Sequence, residues 1–367
     1  MDISDEIETE VIRVNALQPE PSIIERAADV LRAGNVVVFP TETVYGLGAD
    51  VFQPVALERI FLAKGRPHSD PLIAHIADEA ALELLTTALP EQAKRLASAF
   101  WPGPLTLVLP RGQRVPYLMT AGLETVAVRM PRHPVALALI RALGSPIAAP
   151  SANRFMHVSP TTAQHVLADL GGRVPLILDG GPCEVGVEST VLDLCSEQPT
   201  ILRPGGVSLE ALRTVLPNVQ PPRSRKAANT PNPAESEAAA QPSPGQMLTH
   251  YAPAVPLLLF EGSAASMRAA MLVEARRRQA QGERVGILVA DEDVATFQHS
   301  GAIVCSLGNA ANPAQIAASL FHSLRALEDA QVQVILCRQF DDGGLGLAIR
   351  DRLLKAASGR VIETDVS

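Results

Sequence analysis

Short apolar runs alternate with stretches of helical spacing along most of the chain. "SIIERAADVLRAG" has apolar residues at helical intervals between a Ser suited to an N-cap and a Gly suited to a C-terminal stop. "NVVVFP" follows as a strand, and "PVALERIFLAKG" as a second helix, with Pro54 in its first turn and Gly65 at its end. "PLIAHIA", "PLTLVLP", "TVAVRMP", "PIAAPSA", "PLILDGG" and "STVLDL" read as strands, with "PEQAKRLASAF", "HPVALALIRAL" and "TTAQHVLADLGG" as helices between them. This alternation, with its surplus of strands, predicts an α/β or α+β domain on a twisted mixed sheet. Within it "FPTETVYGLG", Phe39 to Gly48, reads as the first strand running into a glycine turn.

The pattern breaks once. From Pro217 to Gln246 the chain is rich in Pro, Ala, Ser, Asn and Gln and nearly free of large apolar residues, the composition of a linker. Beyond it "VPLLLFEG", "RVGILVAD", "AIVCSLG" and "VQVILC" are strand candidates, separated by the amphipathic "AASMRAAMLVEARRRQAQ" and "NPAQIAASLFHSLRALEDA". That order predicts a smaller, doubly wound, Rossmann-like domain. Its first strand leads into no GxGxxG, so a dinucleotide site is not supported there. The expected division is 1–216 for the larger domain, 217–255 for the linker and 256–367 for the smaller domain.

The length of 367 residues agrees with two cores, and a hydrophobic content of 47% is enough to fill them. The 4% of aromatic residues argues against a protein that grips single-stranded nucleic acid by stacking bases. A net charge of −8 excludes a globally basic surface but leaves room for a local basic cleft. Four scattered cysteines without CxxC spacing or flanking histidines speak against a zinc site or disulfide framework and fit a reducing cytosol. The acidic start "MDISDEIETEVIRV" lacks the pattern of a secretory signal, and no apolar run has the length of a membrane span. A soluble, cytoplasmic protein is expected.

Candidate chemistry lies at strand and helix ends, where open α/β sheets place their ligands. Lys64 and Arg66 in "AKGRPHSDPL" suit either a helix C-terminus or phosphate oxygens. Arg129 ends an alternating strand and needs an anion, either a protein carboxylate or a substrate carboxylate. "APSAN" combines small residues with Ser151 and Asn153 and suits close backbone approach to a ligand or an ordinary Ser or Asx turn. Ser189 and Thr190 open a strand in "GVESTVLDL", and Arg203 precedes a Pro-Gly-Gly turn. There is no HExxH, no GxSxG elbow and no GxxxxGK[ST]. Three arginines, one lysine and several hydroxyls beside turns suit a small anionic ligand such as a nucleotide.

Taken in order, "PTETVYGLG", "KGRP", "DPLIAHI", "WPGPLTLVL", "TVAVRMPRHP", "APSAN", "SPTTA", "GVESTVLDL" and "ILRPGG" closely resemble the YrdC-like threonylcarbamoyl-AMP synthases. "SPGQMLTHYAP" and the region C-terminal to it resemble the long, two-domain form of that family. The resemblance implies a nucleotidyltransferase that turns L-threonine, bicarbonate or CO2, and ATP with Mg²⁺ into threonylcarbamoyl-AMP and pyrophosphate. It implies no protein-ligated metal. A downstream tRNA threonylcarbamoyl transferase machinery would then modify adenosine 37 of tRNA, with at most a weak tRNA contact by this chain.

By the same resemblance Lys64, Arg66, Ser151 and Asn153 form the catalytic set around the phosphates. Thr43, His75, Arg129, Ala149 and Ser189 form the threonine pocket. Asp70, Thr125, Ser159, Arg203 and Tyr251 complete the nucleotide contacts, with "SPGQMLTHYAP" as a lid over a labile anhydride. Asp70 stands where the family usually has Asn, so a carboxylate near phosphates calls for Mg²⁺ or a nearby cation. "SANRFMHVSPT" is bulkier than the family's usual loop before Ser159. Glu42 and Tyr45 receive no role. The rival reading is an RNA-binding module of the same fold without turnover, which would need the cations but not Thr43, His75 and Ser189 together.

Overall fold

Strict alternation on three-residue strands builds the first core. In β2 (Val37–Phe39), Val37 and Phe39 point to one side of the sheet and Val38 to the other, and all three are fully buried. The computed structural model describes residues 7–222, 241, 243 and 251–365, which fall into two compact units. The larger comprises the described residues up to 243 without 156–159 and 185–187, which belong to the smaller.

The larger unit carries a ten-stranded mixed sheet in the order β1-β8-β2-β3-β7-β4-β6-β5-β9-β10. Besides β2 these strands are β1 (Glu10–Arg13), β3 (Gly46–Asp50), β4 (Ile73–His75), β5 (Leu105–Pro110) and β6 (Thr125–Arg129). β7 (Ile147–Ala148), β8 (Leu176–Asp179), β9 (Thr190–Asp193) and β10 (Thr200–Arg203) complete it. Among the described residues its helices are α1 (Pro21–Arg32), α2 (Pro54–Lys64), the short α3 (Leu82–Leu85), α4 (Glu91–Phe100), α5 (Pro134–Leu143), α6 (Ala163–Leu170) and α7 (Leu209–Val215).

The two faces of the sheet are covered unequally. One face, with Val38, Leu47, Ala74, Leu107, Val128, Ala148, Ile177 and Leu192, belongs to one large core packed with α2, α4 and α6. The other face divides. Over β8, β2 and β7, residues Val37, Phe39, Ile147, Leu176 and Leu178 pack under α1 and α5. Over β4, β6, β5 and β9 lies a small patch of Ile73, Ala127, Val108 and Val191, with Leu202 beside it and no helix among its members. Polar side chains at the neighbouring positions on this face build the candidate site.

Three local expectations change. The glycines of "YGLG" do not form a turn: Gly46 and Gly48 lie in β3, antiparallel to β2. Their small size makes room for a neighbour, since a Cβ on Gly48 would meet the Phe39 ring at 2.6 Å and Ile147 at 2.8 Å. Helix α1 starts at Pro21 rather than being capped by Ser22, because proline lacks an N–H and fits the first helical position. Strands β1 and β10 carry too little pattern to be read from sequence, four residues each, and β1 is half exposed. By contrast α2 begins at Pro54 and ends on Gly65 in the left-handed region, at φ 64°.

Of the predicted linker, 217–222 stay with the first core, where Val219 is buried and the Gln220 amide donates to the Pro199 carbonyl at 2.8 Å. The Gln241 amide donates to the Ser69 carbonyl at 3.0 Å, and both Gln241 and Ser243 are buried. The remainder, including most of "SPGQMLTHYAP", lies outside the described residues.

The smaller unit has five strands, all parallel, in the order β13-β12-β14-β11-β15. They are β11 (Leu257–Glu261), β12 (Val285–Val289), β13 (Ile303–Ser306), β14 (Val334–Arg338) and β15 (Val361–Glu363). The connecting helices are α8 (Ala264–Ala280), the short α9 (Val294–Phe297), α10 (Pro313–Asp329) and α11 (Gly346–Ala357). This is the doubly wound pattern predicted, extended by α11 and β15. All four cysteines are free, with Cys183 buried in the first core and Cys337 in the second unit. No helix among the described residues is long and apolar enough to cross a membrane.

Candidate active site

Register places three polar side chains in one row across the sheet. Arg129 on β6 lies opposite Thr106 on β5 and opposite His75 on β4. Directly opposed residues share a face, so all three project on the side of the Ile73–Ala127–Val108 patch. All three are also buried.

Arg129 is the centre of the row. Its Nε donates to the Gly103 carbonyl at 3.2 Å, its Nη1 to Thr43 Oγ1 at 2.9 Å, and its Nη2 lies 2.6 Å from the Glu42 carboxylate. The anion that a buried arginine requires is therefore a protein carboxylate, from a residue to which the sequence assigned no role. Burial pushes the Glu42 carboxyl up, but the Arg129 charge and the Arg132 amide outweigh it and hold the group below the usual carboxylate value. Thr43 is braced by Thr41, whose Oγ1 lies 2.8 Å away and donates to the Val44 carbonyl at 2.6 Å.

At one end of the row His75 Nδ1–H donates to the Ile73 carbonyl at 3.1 Å, and the Phe39 ring stands edge-on to it. Burial first, and then the Arg129 charge, push its pKa down to about 3, so the imidazole is neutral at physiological pH. The Ala149 amide donates to the same Ile73 carbonyl at 2.9 Å. At the other end Thr106 Oγ1 and Ser189 Oγ are 2.7 Å apart. Arg203 grips Ser189 from behind, with Nη2 donating to its carbonyl at 3.0 Å and to its Oγ at 3.1 Å. Thr43, His75, Arg129, Ala149 and Ser189, chosen from five separate motifs, thus form one connected group. Arg203, expected among the nucleotide contacts, joins it.

A second group gathers at the end of α2. Lys64 Nζ donates to the Ser151 carbonyl at 2.6 Å and to the Asn153 carbonyl, and Ser151 Oγ bonds Asn153 Oδ1 at 2.5 Å. Burial and the neighbouring Arg66 charge push the Lys64 ammonium well below the ordinary lysine value. Arg66 folds back on its own loop, with Nη2 donating to the Pro71 carbonyl at 2.6 Å and lying 3.1 Å from Asp70. Asp70, the departure noted in the sequence, thus has its compensating cation in Arg66. The two groups are joined through the backbone, since Ser151 follows Ala149 by two residues and is bridged to Gly46 at the head of β3. Thr125 borders a small recess with Pro71, Leu72, Thr120 and Leu123.

Two predicted contacts fall in the smaller unit. Ser159 is fully buried there. Tyr251 is also buried, its ring stacked on Phe321 at 5.7 Å with the Arg352 guanidinium 4.8 Å from its centroid. Its φ of 59° is unusual for an aromatic residue. Among the described residues, no three His, Cys, Asp or Glu side chains come together as a metal site would require.

One residue of the row, Thr106, and one partner of it, Glu42, received no role from the sequence. Thr106 is the lone polar residue within the otherwise apolar strand "LTLVLP", and a buried hydroxyl at an inward position was a usable signal. Glu42 carried none, because its partner is 87 positions away. Tyr45, also without a role, is structural: its hydroxyl donates to the Gly181 carbonyl at 2.6 Å.

An open α/β sheet with a buried, arginine-centred polar row beside an apolar patch, followed in the chain by a parallel-sheet domain, defines a two-domain α/β protein with a buried polar site. Residues 29–205 match the family model described as "Telomere recombination", and residues 207–358 match that of the threonylcarbamoyl-AMP synthase C-terminal domain. A threonylcarbamoyl-AMP synthase of Bacillus subtilis is 45% identical over 364 residues, covering 99% of this chain and 98% of its own. One from Pyrococcus abyssi is 42% identical over 342 residues, covering 93% of this chain and 95% of its own. The crystal structure of P. abyssi Sua5 complexed with L-threonine superposes with a TM-score of 0.88 at 41% identity, covering 96% of this chain and 99% of its own. The chain belongs to the threonylcarbamoyl-AMP synthase family.

Proposed function

We propose that the row Ser189–Thr106–Arg129–His75, with Thr43, is where L-threonine binds, and that the chain joins it with CO2 and ATP into threonylcarbamoyl-AMP. The observation that carries this reading is the composition of the half-face. Arg129 offers N–H donors for a carboxylate, the hydroxyls and the neutral His75 offer partners for a hydroxyl, and Ile73, Ala127, Val108 and Val191 offer an apolar floor for a methyl. Threonine carries all three groups. The P. abyssi relative of known structure was crystallised with this amino acid.

The chemistry is dictated by the ligands. The threonine nitrogen adds to CO2 and loses a proton, giving a carbamate. A carbamate oxygen then attacks the α-phosphorus of ATP as the bond to pyrophosphate breaks. Such transfers call for alignment and charge neutralisation, with no protein nucleophile. Arg66, Ser151 and Asn153 are assigned to the phosphates, and Lys64 to fixing the loop that presents Ser151 and Asn153. Asp70 is already paired with Arg66, so Mg²⁺ is assigned to the nucleotide's own phosphates, with which it would arrive. Thr125, Ser159 and Tyr251 remain the proposed further nucleotide contacts. The product would go to a tRNA threonylcarbamoyl transferase, and the chain would act in the cytoplasm.

The test is to incubate the full chain with L-threonine, bicarbonate, ATP and Mg²⁺ and follow pyrophosphate and the adenylate by mass spectrometry. Threonine-dependent release of both is expected. Pyrophosphate release that ignores threonine would overturn the reading.

A further inference from the structure

We infer that Glu42 is a positioning residue for amino-acid binding, acting through Arg129. The inference rests on the reading of Arg129 as the group that receives the threonine carboxylate. Glu42 is 2% exposed, and both of its oxygens are engaged. Oε1 lies 2.6 Å from Arg129 Nη2, and Oε2 accepts the Arg132 amide at 3.1 Å. It therefore reaches from the loop after β2 to the chain between β6 and α5 and closes a ring around the guanidinium.

An arginine has five N–H donors in a rigid plane. Gly103 and Thr43 accept from Nε and Nη1, and the Glu42 carboxylate is ion-paired with Nη2, so the protein ties down all three nitrogens while Nη1 and Nη2 keep N–H groups for a ligand. Arg129 is thus held in one rotamer before any ligand arrives, and the ordering cost that usually weakens binding is already met in folding. Without the carboxylate, Nη2 loses its anchor. A buried cation without its partner then seeks another acceptor and swings out of line with the row. Both Glu42 oxygens already hold protein groups, the Arg129 guanidinium and the Arg132 amide, and the role assigned to Glu42 is positioning through Arg129 rather than substrate contact.

The experiment compares Glu42→Gln, Glu42→Asp, Arg129→Met and the double variant Glu42→Gln/Arg129→Met, measuring kcat and the KM for threonine and for ATP separately. Glu42→Gln should raise the threonine KM by about tenfold or more, as expected for a misplaced binding group, with the ATP KM unchanged. Glu42→Asp, which keeps the charge on a shorter arm, should fall between it and the parent. The double variant should be no worse than Arg129→Met alone, because Glu42 acts only through the guanidinium.

If Arg129→Met leaves the threonine KM unchanged, the reading of Arg129 fails and the inference with it. If Arg129→Met raises that KM and Glu42→Gln does not, the inference alone is overturned. Equal rises in both KM values for Glu42→Gln would also overturn it, by showing a general structural role. Should Glu42→Gln fail to fold, Glu42→Asp carries the same comparison, and an unchanged threonine KM in that variant counts against the inference.

Discussion

Gly205 holds up the end of the row from beneath. A Cβ placed there would lie 2.3 Å from the Glu188 carbonyl oxygen, 2.4 Å from the Ser189 carbonyl carbon and 2.4 Å from the Thr190 nitrogen. Ordinary contact begins near 3.4 Å, and every obstructing atom is backbone, so Gly205→Ala must push 188–190 away by about 1 Å. That segment carries Ser189, whose Oγ sits 2.7 Å from Thr106 and whose carbonyl accepts from Arg203 at 3.0 Å. A shift of that size breaks both bonds. Misplacing a binding group by 1 Å costs on the order of 100-fold in rate, and overpacking a tight site costs roughly 1–3 kcal/mol of stability. Threonine-dependent pyrophosphate release should therefore fall by about two orders of magnitude in kcat/KM, with Tm lower by ~2–4 °C per kcal/mol lost. A Gly205→Ala protein with kcat/KM within about twofold of the parent and an unchanged Tm would refute the reasoning, since packing this close has no slack to absorb a methyl group.

The same geometry sets three further outcomes. His75 is buried neutral with a pKa of about 3 against 6.5 when unfolded, so between those values the unfolded chain binds the extra proton and stability falls as pH falls. At pH 5 this amounts to about 2 kcal/mol relative to pH 7; urea midpoints at the two pH values should differ less in His75→Gln than in the parent. Gly48→Ala should lower Tm by overpacking Phe39 and Ile147, by roughly 1–3 kcal/mol, and thermal melting by circular dichroism checks it. Arg203→Leu should raise the threonine KM as well as the ATP KM, because Arg203 orients Ser189; a change in the ATP KM alone would restrict it to the nucleotide.

Much of this molecule was legible in its sequence, and the parts that were not share a cause. Helix α2 could be read because Pro54 and Gly65 act locally, and the same holds for most strands, whose apolar patterns are self-contained. "YGLG" was misread because the reason for its glycines is the Phe39 ring on the paired strand, which no local pattern reports. The motif-by-motif resemblance named Thr43, His75, Arg129, Ala149 and Ser189; the register of β4 and β6 sets His75 beside Arg129, and the other three join through hydrogen bonds to Arg129, to the Ile73 carbonyl and to Thr106. Glu42 and Thr106 were missed for the converse reason. Their significance shows only in distant partners, Arg129 on β6 for Glu42 and Ser189 just before β9 for Thr106.

The arrangement of the cysteines makes the chain its own unfolding gauge. Cys183 is buried in the larger unit, with its thiol pushed upward by burial, and Cys337 is fully buried in the smaller one, with its thiol pushed up to about 12. Neither is a ready thiolate, so each should resist an alkylating reagent until its own unit opens. Cys195 is exposed, and although burial pushes its thiol up to about 11, it can be labelled at alkaline pH without waiting for unfolding. Timed alkylation read by peptide mass would track the opening of the two units separately in a single wild-type sample, with no probe introduced.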